Sequence, residues 1–122
     1  MDNLVIYGTA KTPSIKFNYQ KGIMEFSGVS IPENSIEFYE PVIAWIHEYA
    51  KDPKPNSKIS FKLAYLNTSS LQAIYDVLIS LENKSVEVEW YYLSDDADMK
   101  EIGEDFQNAV NVKISLIEVI GV

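Results

Sequence analysis

The stretch ISFKLAYLNTSSLQAIYDVLISL, residues 59–81, is the clearest indication of the fold, because the spacing of its hydrophobic side chains changes partway along. Apolar residues at 59, 61, 63 and 65 alternate with polar or small ones, and this period of two predicts a strand with one buried face. From residue 71 the apolar side chains recur every three or four positions, which predicts a helix. Residues 67–70 join the two as a turn.

The same two periods recur on both sides of this strand–turn–helix unit. They predict strands at 4–7, 15–19, 23–26, 59–65, 86–92 and 112–116, and helices at 35–50, 71–81 and 95–110. Within the first helical region we expect Ile36–Tyr39 to form a separate turn. Pro41 then lies in the first turn of the helix, where a missing N–H costs nothing. The predicted order is β-β-β-α-β-α-β-α-β.

Strand–helix alternation in the second half predicts parallel strands, whereas the short runs near the N-terminus predict a hairpin. The strands nevertheless carry charged residues at alternate positions, at 62, 87, 89 and 113. A sheet covered on both faces would not need them. We therefore expect an α/β domain with a mixed sheet, helices packed on one face and the other face open. The expected core comprises Ile59, Phe61, Leu63, Ile74, Val77, Leu78, Val88, Trp90, Met99, Ile102 and Phe106.

Composition narrows the classes of function. The 122 residues suit a single regulatory domain, 1–122, and the chain has no cysteine for disulfides or thiolate chemistry. A net charge of −8 with scattered lysines argues against nucleic-acid and membrane partners. The N-terminal residues Met1-Asp2-Asn3-Leu4 do not resemble a signal peptide, so we expect a cytoplasmic protein.

No residue pattern predicts an enzyme, a metal site or a cofactor. His47 is the lone histidine, and we expect it to point outward because its neighbours Val42, Ile43 and Ile46 pack inward. The acidic cluster within residues 95–105 lacks calcium-loop spacing and fits a helix start with a solvated face. The glycines are isolated, so no phosphate-binding loop is predicted. An enzymatic reading would need an ordered metal or cofactor in the purified protein.

The turn Asn67-Thr68-Ser69-Ser70 is the most informative polar feature. It follows a buried strand at the expected carboxyl edge of the sheet, where ligands and partners usually meet α/β folds. Such residues also cap helices, and we expect one of the hydroxyls, at Ser69 or Ser70, to serve as the cap. One such residue is enough to cap a helix, and this turn has four in a row. Two roles for the turn therefore remain open, a functional one and simple capping.

The sequence also resembles the SiaC-like regulatory phosphoproteins. The resemblance runs through nearly the whole chain as an ordered set of short matches rather than one decisive motif. The matching segments are Gly8-Thr9, Thr12-Pro13, residues 28–34, residues 38–41 with Trp45 and Tyr49, residues 65–70, residues 90–92 and residues 98–106. Leu66 stands where an aromatic residue is common in that family, a mild departure that leaves Thr68 in place.

This resemblance implies a fold similar to anti-sigma-factor-antagonist domains. It implies that a dedicated protein kinase phosphorylates Thr68 and that a metal-dependent phosphatase removes the phosphate. We therefore expect the Thr68 hydroxyl to be exposed at the strand–helix junction. The unmodified protein would then bind a diguanylate cyclase, in cyclic-di-GMP signalling and biofilm formation, with Asn67, Ser69 and Ser70 as candidate partner-binding residues. The alternatives are an anti-sigma factor antagonist that binds an anti-sigma kinase, and a structural oligomer that uses the open sheet face.

Overall fold

A computed structural model describes residues 1–121. Its elements follow the predicted order and are β1 Leu4–Ile6, β2 Ser14–Asn18, β3 Ile23–Ser30, α1 Ser35–Ala50, β4 Ser57–Leu66, α2 Thr68–Ser80, β5 Val86–Leu93, α3 Ala97–Ala109 and β6 Ile114–Val119. Within the described part of the chain, no helix is both long enough and apolar enough to cross a bilayer.

The six strands form one mixed sheet whose spatial order, β1-β2-β3-β4-β5-β6, is the same as their order in the chain. The first three strands pair antiparallel, and β3 to β6 pair parallel. Every parallel crossover steps in the same direction across the sheet, and because such crossovers are right-handed, the three helices lie on one face. The predicted α/β class with helices on a single face is confirmed.

The two faces of the sheet differ in chemistry as the alternation predicted. On β4, Ile59 and Phe61 are fully buried beneath the helices, while Lys62 is exposed on the opposite face. That open face carries the ion pairs Lys62–Glu25 and Lys58–Glu89. Ten of the eleven expected core residues are buried, and Ile102 is partly buried against them. The predicted layer assignment is therefore confirmed.

The start of α1 differs from the prediction. The segment Ile36–Tyr39 is part of the helix, so the separate turn expected there is wrong. Asn34 caps the helix, because its Oδ1 atom accepts a hydrogen bond from the Glu37 N–H at 3.0 Å. Pro41 consequently lies in the second turn, where its missing N–H would otherwise bond the Glu37 carbonyl. Its position is exposed, so water can reach that carbonyl.

Candidate functional site

The turn between β4 and α2 lies at the carboxyl edge of the parallel strands. Its first residue, Asn67, is anchored to the neighbouring strand by a bond from its N–H to the Ser30 carbonyl, at 3.0 Å. Asn67 also caps α2, since its Oδ1 atom accepts from the Ser70 N–H at 3.0 Å. The prediction that Ser69 or Ser70 provides the cap is therefore wrong. The cap is the side-chain amide oxygen of Asn67, one residue before the helix, so the hydroxyl groups are available for other contacts.

Thr68 is the first residue of α2, and its side chain is exposed. The expected exposure at the strand–helix junction is confirmed. None of the side-chain hydrogen bonds among residues 1–121 involves its hydroxyl group. Thr68 borders a cavity of about 360 Å³ between α2 and α3, lined also by Leu71, Ile102 and Phe106. The hydroxyl is thus accessible and uncommitted beside a partly apolar groove.

Ser69 is also exposed, but its hydroxyl group is engaged. It donates to Asn67 Oδ1 at 3.1 Å, and its oxygen lies 2.6 Å from the Ser35 hydroxyl at the start of α1. Ser69 borders a second cavity, of about 540 Å³, between α1 and α2. The two neighbouring residues therefore face different grooves, Thr68 toward α3 and Ser69 toward α1.

Ser70 is fully buried and belongs to a hydroxyl network beneath the turn. Its hydroxyl donates to the Ser30 carbonyl at 2.9 Å and lies 2.8 Å from the Ser30 hydroxyl, which in turn is 2.6 Å from the Tyr39 hydroxyl. Burial raises the pKa of Tyr39, against a smaller opposing effect of the Ser30 and Ser70 hydroxyls, so the phenol stays protonated and able to donate. In this conformation Ser70 presents no surface to a partner.

Three residues of this site were missed by sequence reasoning: Ser30, Ser35 and Tyr39. Ser30 and Tyr39 lie within segments that carry the family resemblance, and that was the one signal available. Ser30 and Ser70 are separated by 40 positions, and their hydroxyls meet only because β3 and β4 are neighbours in the sheet. No local pattern predicts such a contact.

Charge is distributed unevenly around the turn. The three helices hold eight of the 18 acidic residues but only one of the 10 lysines, so they carry seven of the eight net negative charges. The first turn of α2 is an exception, because it contains no acidic residue. The helix dipole and the unpaired N–H groups at this end are therefore not offset by carboxylates of the same turn.

His47 is exposed on α1, as predicted, and borders the cavity between α1 and α2. It takes part in none of the side-chain hydrogen bonds that the structure describes among residues 1–121. The only serine hydroxyls at that cavity, those of Ser35 and Ser69, bond to each other and to Asn67. Among residues 1–121, neither serine hydroxyl is hydrogen-bonded to His47.

Comparison with known proteins gives a consistent result. A model of the SiaC family, described as a regulatory phosphoprotein family, matches residues 6–119. An uncharacterised protein of Pseudomonas aeruginosa (strain UCBPP-PA14) is 35% identical over 112 residues, which cover 88% of this chain and 89% of that protein.

Solved structures agree with the sequence comparison. SiaC of Pseudomonas aeruginosa superposes with a TM-score of 0.88 at 32% identity, covering 98% of this chain and 100% of that chain. SiaC of Pseudomonas aeruginosa as the activator in complex with the diguanylate cyclase SiaD gives a TM-score of 0.88 at 31% identity, covering 95% of this chain and 99% of that chain. The resemblance in the sequence is confirmed, and the chain belongs to the SiaC family of regulatory phosphoproteins.

Proposed function

We propose that this chain is a non-enzymatic signalling protein that binds and activates a diguanylate cyclase when unmodified, and that phosphorylation of Thr68 prevents the binding. The partner class is supported by the similar SiaC, which is the activator in a complex with the cyclase SiaD. The observation that carries the switch is the exposed and uncommitted hydroxyl of Thr68 at the carboxyl edge of the sheet.

The physical basis of the switch is a change of charge at a docking surface. A phosphate adds about −1.5 to −2 charges at neutral pH. At Thr68 the phosphate would meet the free N–H groups of the first turn of α2, so the domain can hold it without refolding. The same charge stands beside the partly apolar groove that Leu71, Ile102 and Phe106 line together with Asp105. A partner seated there would have to desolvate it, and binding would weaken.

The remaining parts of the proposal follow from this role. A protein kinase and a metal-dependent phosphatase act on Thr68. The kinase draws on ATP, which supports a cytoplasmic location for the protein. Asn67 and Ser69 form the rim that a partner touches, whereas Ser70 supports that rim from below. The whole chain, 1–122, acts as one regulatory domain without a cofactor.

The test is the affinity of a diguanylate cyclase for three forms of the protein, measured by calorimetry: unmodified wild type, stoichiometrically phosphorylated wild type and Thr68→Ala. We expect tight binding by the unmodified protein and by Thr68→Ala, and at least tenfold weaker binding by the phosphorylated protein, on the order of 1.4 kcal/mol. Thr68→Ala should remain folded and lose less than about 1 kcal/mol, since Asn67 supplies the cap.

A matched control removes a hydroxyl from the opposite end of the same helix. Among residues 1–121 the Ser80 hydroxyl bonds only to the Asp76 carbonyl one turn earlier, so Ser80→Ala should bind and respond to phosphorylation like the wild type. Equal affinities in all three forms of the main experiment would end the switch proposal. A phosphate mapped to Ser69 or Ser70 would keep the mechanism and refute the residue.

A further inference from the structure

Three adjacent hydroxyls stand at the start of α2, and within the part of the chain that the structure describes only that of Thr68 makes no hydrogen bond. Resting on the proposed function, we propose that Ser35 is a specificity-determining residue: together with Asn67 it occupies the Ser69 hydroxyl, so that the kinase modifies Thr68 and not its neighbour. The juxtaposition that carries this inference is the 2.6 Å contact between the Ser35 and Ser69 hydroxyl oxygens, across the N-termini of α1 and α2.

The proton of Ser69 has a fixed destination. The Ser69 hydroxyl donates to Asn67 Oδ1, the same oxygen that accepts from the Ser70 N–H as the helix cap. A hydroxyl has one proton, so the short contact with Ser35 must be a bond in which Ser35 donates and the Ser69 oxygen accepts. The proton of Ser69 and one of its two lone pairs are therefore engaged within the folded domain.

Ser70 is excluded as a phosphate acceptor for a different reason. Its proton goes to the Ser30 carbonyl, so the Ser30 hydroxyl must donate to Ser70, and the Tyr39 hydroxyl must donate to Ser30. The chain of donors runs from Tyr39 through Ser30 to Ser70 and ends on a backbone oxygen. Ser70 is also completely buried, which prevents a kinase from reaching it.

Phosphoryl transfer requires an accessible hydroxyl whose oxygen and proton are not held by internal hydrogen bonds. Of the three hydroxyls at the start of α2, only that of Thr68 meets this requirement among the described residues. The acceptor oxygen forms a bond to the γ-phosphorus of ATP as the bond to ADP breaks, and the hydroxyl proton passes to a base of the kinase. Thr68 can turn its oxygen toward ATP and release its proton without breaking an internal bond. Ser69 is also exposed, but it would first have to take its proton away from Asn67, and its oxygen already accepts a hydrogen bond from Ser35.

Ser35 offers a clean way to test this, because its hydroxyl serves no cap. Asn34 caps α1, and among residues 1–121 the Ser35 hydroxyl bonds to Ser69 alone. Ser35→Ala should therefore leave both helices in place while freeing one lone pair of Ser69. The gain in reactivity at Ser69 should be about fivefold, the equivalent of one net hydrogen bond of about 1 kcal/mol.

The experiment expresses four proteins in the native host and maps phosphate by intact mass and peptide sequencing: wild type, Thr68→Ala, Ser35→Ala/Thr68→Ala and Ser80→Ala/Thr68→Ala. We expect phosphate on Thr68 in the wild type and little on Ser69 in Thr68→Ala. The variant that also lacks the Ser35 hydroxyl should carry about fivefold more phosphate on Ser69. The Ser80 control should match Thr68→Ala.

A conservative variant guards against a trivial loss of structure. Ser35→Thr/Thr68→Ala retains a hydroxyl at position 35 and should again keep phosphate off Ser69, whereas local unfolding would not distinguish alanine from threonine in this way. Equal Ser69 occupancy with and without the Ser35 hydroxyl would overturn the inference and leave the proposed function standing. A wild type that carries phosphate on no residue would overturn the proposed function, and the inference with it.

Discussion

The N-termini of α2 and α3 have the same kind of side-chain cap and different charges. Each helix follows a parallel strand, and each is capped by the side-chain oxygen of an Asn or Asp residue. Asn67 accepts from the Ser70 N–H, and Asp96 accepts from the Met99 N–H, both at 3.0 Å. The two helices therefore begin with the same cap hydrogen bond at the same edge of the sheet, although the backbone ψ angle is 173° at Asn67 and 81° at Asp96.

The N-termini of the two helices differ in the charges around them. Around the start of α3 stand three carboxylates, at Asp95, Asp96 and Asp98, which offset the positive end of the helix dipole. The start of α2 has an uncharged cap, no acid in its first turn and three hydroxyls. A cap defines where a helix begins, while neighbouring charges change how favourable that end is for an anion. The start of α2 is therefore the more favourable of the two for the proposed phosphate.

Both helices pack against the same hydrophobic core, so their N-termini can differ without loss of the fold. Leu78 in α2 is fully buried, and Leu78→Ala should lower the free energy of unfolding by about 2–5 kcal/mol. The neighbouring Ile79 is 37% exposed, and Ile79→Ala should cost far less. Urea denaturation of both variants tests this, and similar losses would show that α2 is not anchored as described.

The contributions of the two caps to the free energy of unfolding can be compared by removing each cap in turn. Asn67→Ala and Asp96→Ala each remove one cap bond, so each should lower the free energy of unfolding by about 0.5–2 kcal/mol. Thermal and urea unfolding of the pair provide the measurement. A loss at Asn67 much larger than that at Asp96 would mean that the contact with Ser69 contributes strongly, and that the two ends are not alike in energy.

The smallest effect comes from exchanging the charges. Asn67→Asp gives α2 the cap of α3 and should raise the stability of the unmodified protein by about 0.3–1 kcal/mol through the helix dipole. In the protein phosphorylated on Thr68 this gain should vanish, because the new carboxylate repels the phosphate. Unfolding of both forms, with Asp96→Asn as the matched control, tests the exchange. An equal gain with and without phosphate would contradict the role assigned to charge.

Much of the fold followed from periodicity in the sequence. The order of elements and the inward faces were predictable because alternation and helical spacing report directly which side chains are buried. The start of α1 was not, because Pro41 suggests a first helical turn while Asn34 and Glu37 form the cap seven and four residues earlier. A strong preference of one residue type was outweighed by a local hydrogen bond.

The candidate site was predictable in outline. The turn at 67–70 and the exposure of Thr68 were deduced from position along the chain. The cap was assigned to a hydroxyl because serine and asparagine have similar preferences there, and only coordinates show which oxygen reaches the Ser70 N–H. The contacts of Ser70 with Ser30 and of Ser69 with Ser35 join residues far apart in sequence, and they depend on how helices settle on the sheet.

The sequential order of the strands has a consequence for how the protein is made. Because each strand pairs with the one before it, the sheet can grow from one edge as the chain leaves the ribosome, with no later strand inserted between earlier ones. Ser30, Tyr39 and Ser70 all precede β5, so the hydroxyl network beneath Thr68 includes no residue from the last third of the polypeptide.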